Sequence, residues 1–97
     1  MIYHVTKKED WEKALQKGFY EAASLKTEGF IHTSSVNQVT GVLERYFENE
    51  KELLLLHIDE EKLQSPLKYE MAASVQEIFP HVFGTINLDA VVKIIML

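Results

Sequence analysis

The run Leu53-Leu54-Leu55-Leu56-His57-Ile58-Asp59 is apolar on both faces until His57. Side chains alternate between the two faces of a strand, so such a run needs cover above and below. It predicts a central strand, and the rest of the chain must supply its neighbours and the layers over it. With 97 residues, one domain spanning 1–97 is the expected organisation. No repeat, linker or low-complexity stretch divides it.

The flanking segments supply the other elements. MIYHVT is rich in β-formers and reads as a first strand. Thr6-Lys7-Lys8-Glu9 matches a capping box, opening a helix of about ten residues with Trp11, Ala14 and Leu15 on its inner face and Gly18 just beyond its end. Phe19 to Gly29 has no clean period and reads as a loop. FIHTS is a second strand, and Ser35-x-x-Gln38 is a second capping box. The helix it opens carries Val36, Val39, Leu43, Tyr46 and Phe47 on one side, the last two read as core, and it ends near Asn49. In LKYEMA, Leu67, Tyr69 and Met71 alternate with Lys68 and Glu70, which predicts a strand with the apolar set inward. Pro80 and Gly84 predict that SVQEIFPHVFG is irregular, a bent edge segment. AVVKIIML closes as a strand, apolar apart from Lys93. The sum is a small α+β domain, one mixed sheet of five or six strands with two helices.

Composition narrows the functional classes. A net charge of −5 with a single arginine, Arg45, argues against a nucleic-acid surface. The absence of cysteine excludes disulfides, thiolate zinc sites and a cysteine nucleophile. The longest apolar run is far short of the roughly 20 residues that span a bilayer. MIYHVTKKEDW lacks the layout of a signal peptide, and a cytoplasmic protein is expected.

The four histidines are where chemistry could sit. His4, His32 and His81 lie in YHVT, IHTS and PHVF, each flanked by apolar residues and close to an element end. Thr6 shares a strand face with His4, and Ser34 shares one with His32. Imidazoles and hydroxyls both donate and accept, which suits a sugar or amide ligand. His57 reads as structural, bonded to a carbonyl or to Asp59. HxH, HxxxH and HExxH are all missing, so no metal is expected. GxSxG is missing too, and Ser35 is explained by its cap. Glu70 is the acidic residue placed to face outward or into a cleft.

Taken together, YHVT, EGFIHTS and FPHVFG with their intervening residues make the chain resemble domain-of-unknown-function family 952, small bacterial proteins, along nearly its whole length. That family resembles a compact relative of the ADP-ribosyltransferases, including RNA 2′-phosphotransferase. The resemblance implies an ADP-ribosyltransferase-like fold and NAD as cofactor. It implies that His4 bonds the nicotinamide-side ribose or carboxamide, with Thr6 shaping the loop. His32 and Ser34 would stand beside the nicotinamide, and the late catalytic position would fall to His81 or Glu70. Phosphotransfer to RNA is set aside, since it needs several basic residues around a phosphate.

Three readings stay open on the residues themselves. One is an ADP-ribosyl-transferring enzyme or hydrolase using His4, His32, His81 and Glu70. Another is a non-catalytic cleft for a nucleotide or other small molecule. The last is a protein-interaction domain with structural histidines. A carboxylate within reach of the cleft favours the first, and buried, mutually bonded rings favour the last.

Overall fold

The computed structural model describes Met1–Leu97. Its order is β1 (Ile2–Lys7), α1 (Lys8–Lys17), β2 (Phe19–Tyr20), α2 (Ser24–Thr27), β3 (Ile31–His32), α3 (Val39–Tyr46), β4 (Leu53–Ile58), β5 (Leu67–Ala72), β6 (Glu77–Val82), β7 (Ile86–Asn87) and β8 (Val91–Met96). Every pairing is antiparallel. The expected single mixed sheet is replaced by three small ones, ordered β1-β4-β8, β2-β7 and β3-β6-β5. No helix is long and apolar enough to cross a membrane.

The leucine run occupies the centre of its sheet, as its double-faced apolarity requires. Leu54, Leu56 and Ile58 join Ile2, Trp11 and Tyr20 in the main core. β8 covers one flank of β4 from the sheet edge, and Val92, Ile94, Ile95 and Met96 stay exposed there. A strand that is apolar on both faces therefore need not be buried on both.

The start of α1 differs from its expected cap. Lys7 is the N-cap residue and makes no side-chain cap bond, because Thr6 still belongs to β1 and turns inward to Tyr20. Gly18 closes the helix as expected, at φ 91°, where a left-handed residue suits glycine. Ahead of α3 the Ser35–Gln38 capping box is present, on a 3-10 turn that runs into the helix. That helix ends at Tyr46, and Tyr46 is 63% exposed rather than core. The segment 19–29, read as a loop, holds the short elements β2 and α2.

The largest departure concerns Pro80. β6 is regular and lies in the middle of its sheet, although a proline sits inside it. The Pro80 carbonyl takes both the amide and Oγ1 of Thr33, at 3.2 and 2.7 Å. In an extended strand the nitrogen and carbonyl of one residue point to the same side. The missing N–H thus falls beyond the two-residue end of β3, and the six-residue ladder to β5 is kept. β5 is the outer strand of that sheet, which leaves Tyr69 and Met71 exposed at 55% and 60%, contrary to their expected inward set.

Candidate functional site

A two-way backbone bridge joins the first and third sheets. Tyr3 and Ser34 exchange amide-to-carbonyl bonds at 2.8 and 2.7 Å. Where the two sheets part at this junction, a cleft of about 640 Å³ opens. Its polar lining includes His4, Glu28, His32, Thr33, Ser34 and His81. Its apolar lining includes Val42, Tyr46, Phe47, Val75 and Phe79. A mostly apolar concavity of this size with a few converging polar groups is the usual form of a small-molecule site.

Strand register sets the polar lining. His32 on β3 stands directly opposite His81 on β6, with ring centroids 5.5 Å apart. Phe30 shares their face and stacks on His81 at 4.0 Å and 17°. Each imidazole has its own carboxylate. His81 donates from Nδ1 to Glu70 Oε1 at 2.8 Å, and Glu28 Oε2 lies 3.0 Å from His32 Nε2. With Nδ1 engaged by Glu70, the neutral form of the ring presents its lone pair at Nε2, which has no protein partner. The ring is 6% exposed and lines the cleft, so that lone pair is presented by a fixed side chain.

His4 is built differently. Its Nδ1 donates to the His32 carbonyl, and its Nε2 lies 2.8 Å from the Tyr20 hydroxyl, itself 2.9 Å from Thr6 Oγ1. Burial pushes the His4 pKa down to about 4 against the His32 carbonyl, which opposes the shift. Burial likewise pushes Tyr20 up to about 12, against the Thr6 contact. At neutral pH the ring is therefore uncharged, and Nε2 accepts the Tyr20 proton while Thr6 supplies its own to Tyr20. Protonating His4 would reverse that chain, with Tyr20 donating to Thr6 and Thr6 to the Lys7 carbonyl at 3.4 Å.

The sequence-predicted residues separate accordingly. His4, His32, Ser34 and His81 share the cleft, whereas Thr6 is buried behind it. Glu70 does not line the cleft and acts on it through His81. His4 lines the cleft but has both nitrogens engaged by the protein, so a direct bond from it to a ligand would displace Tyr20 or the His32 carbonyl. Glu28 was missed. The signal was the spacing Glu28-x-x-x-His32, one turn of chain before a strand histidine. His57 departs from its expected bond to a carbonyl or Asp59. Its Nε2 has no partner, its ring meets Tyr3 edge-on at 4.8 Å, and burial followed by Lys93 lowers its pKa. No group of three His, Asp or Glu side chains is placed to hold a metal ion.

Comparisons with known proteins agree with this architecture. The family model described as "Protein of unknown function (DUF952)" matches residues 5–94. The crystal structure of protein CC0527 from Caulobacter crescentus is similar, with a TM-score of 0.90 and 28% identity over 99% of this chain and 84% of that one. Its solution structure gives a TM-score of 0.84 at 28% identity, over 99% and 83% of the two chains. Among curated proteins, none matches the sequence.

Proposed function

The chain belongs to the DUF952 family, and on that premise we propose that its cleft binds an NAD-type nucleotide and hydrolyses or transfers at its N-glycosidic bond. The observation that carries this reading is the His81–Glu70 pair, in which a buried ring with Nδ1 bonded at 2.8 Å leaves Nε2 free beside Phe30. A carboxylate that holds a histidine in one tautomer is the arrangement of a general base. The likeness of YHVTKKEDWEKALQKG to the ribose- and amide-holding element of ADP-ribosyltransferases supports the choice of ligand.

In hydrolysis, a water oxygen attacks C1′ of the ribose as the bond to the nicotinamide nitrogen breaks. The bonding pair leaves with nicotinamide, and the water's proton passes to His81 Nε2 and then to solvent. Positive charge develops on the ribose during this step, and a carboxylate in the cleft stabilises it. Glu28 is the carboxylate that lines the cleft. His4 serves here as a positioning residue, because its Nδ1 bond to the His32 carbonyl ties β1 to β3.

Binding without turnover is the second reading. It is favoured by one observation, that each carboxylate is already engaged by a histidine, Glu28 by His32 and Glu70 by His81. Thermal melting with about 1 mM NAD⁺, together with assay of nicotinamide release, separates the two. A dissociation constant of about 100 μM would add about 1.4 kcal/mol of stability, several degrees for a domain of this size. Stabilisation with nicotinamide release that falls about 10²-fold or more in His81→Gln supports the enzyme. Stabilisation without release selects the binding protein, and no stabilisation rejects both.

A further inference from the structure

Charge is distributed unevenly around the cleft. No Lys or Arg side chain lines it, whereas Glu28 does. Arg45, the one arginine, sits over the Tyr46 ring at 5.7 Å and folds back along α3 to Gly41. Lys68, the register partner of His81 on β5, does not line the cleft and lies 5.2 Å over the ring of Phe83. The turn ahead of α3 offers no open anion site either, since its capping box already uses Ser35 and Gln38. Phosphate recognition calls for Arg or Lys forks, or free amides at a helix start. An enclosed phosphate here would lose its water without gaining a cation, which is costly.

Resting on the nucleotide reading above, we propose that the cleft recognises the cationic N-riboside end of its ligand and leaves the phosphates outside. The pyridinium ring suits the aromatic and apolar wall near Phe79 and Phe47, and its positive charge suits Glu28. The ribose hydroxyls meet the imidazole and hydroxyl groups of His32, His81 and Ser34. The specificity of the site is then for charge on the base rather than for the dinucleotide.

The comparison of NAD⁺ with NADH tests this directly, because the two share every phosphate and differ in the charge of the nicotinamide ring. Melting shifts are measured at matched concentrations for NAD⁺, NADH, nicotinamide riboside, ADP-ribose and inorganic pyrophosphate. Nicotinamide riboside is expected to bind within about threefold of NAD⁺, since a phosphate left in water adds little. NADH is expected to bind more weakly, by up to about fivefold for a half-exposed carboxylate. Glu28→Gln removes the difference between NAD⁺ and NADH, while Arg45→Gln and Lys68→Gln leave NAD⁺ binding unchanged. Equal binding of NADH in the wild type overturns the charge preference. ADP-ribose or pyrophosphate binding as well as NAD⁺, or loss of NAD⁺ binding in Arg45→Gln or Lys68→Gln, overturns the exclusion of phosphate while the nucleotide reading survives. No shift with any of the five rejects that reading and this inference with it.

Discussion

His32 and His81 face each other across the β3–β6 pair with ring centroids 5.5 Å apart, and each is paired to its own glutamate. The two pairs differ in setting. His81 is nearly closed off and backed by Phe30, while His32 and Glu28 are half exposed.

Glu70→Gln separates a chemical role from a structural one. The Glu70 carboxylate is partly exposed, and its bond to His81 should contribute no more than about 1 kcal/mol to folding. The expected outcome is a melting temperature within a few degrees of wild type, with nicotinamide release lowered about 10²-fold by loss of the His81 tautomer. An unchanged rate would remove Glu70 from the proposed site.

His4 should make stability depend on pH. Its pKa is about 4 in the fold and 6.5 when free, so between those values the unfolded chain binds the extra proton. Stability therefore falls as pH drops from 6.5 towards 4 and levels off below, by at most about 3 kcal/mol from this group. His57, also lowered, acts in the same direction. Urea unfolding of wild type and His4→Gln across this range should show a steeper decline in the wild type. Parallel curves would contradict the buried, neutral ring.

Tyr20→Phe probes the hydrogen-bond chain behind the cleft. The change leaves His4 Nε2 and Thr6 Oγ1 without their shared partner in a buried setting. A loss of about 1–3 kcal/mol is expected, with no cavity to add to it. Denaturant titration measures it, and a loss below about 0.5 kcal/mol would mean that water restores both bonds.

Two glycines should respond in opposite ways to alanine. At Gly84, φ is 153° and an added Cβ would clash with the Ser65 side chain, so Gly84→Ala should destabilise the fold by more than about 1 kcal/mol. Gly41 lies inside α3, where the added methyl meets only the end of the Arg45 side chain at 3.0 Å. Gly41→Ala is expected to be neutral or to stabilise by up to about 1 kcal/mol through helix propensity. Differential scanning calorimetry of the two variants would show Tm moving down in the first and not in the second.

Period and punctuation in the sequence determined the elements whose signals are local. The leucine run specified a central strand, Gly18 the end of α1, and Ser35-x-x-Gln38 the turn into α3, because each depends on residues within a few positions. Of the residues in the histidine–hydroxyl pattern, His4, His32, Ser34 and His81 line one cleft, whereas Thr6 lies buried behind it. Only the tertiary structure decided which strand became an edge. Apolarity alone does not distinguish a strand with two neighbours from one with a single neighbour, and so Tyr69, Met71 and most of β8 are exposed. The same applies to Pro80, which is tolerated at the centre of a sheet because β3 ends after two residues. The Glu70–His81 pairing was likewise beyond reach of the sequence, unlike Glu28, which stands four positions before His32. Glu70 meets His81 diagonally across two strands and Tyr20 caps His4 from 16 positions away, contacts that depend on register and on packing between sheets rather than on any nearby residue.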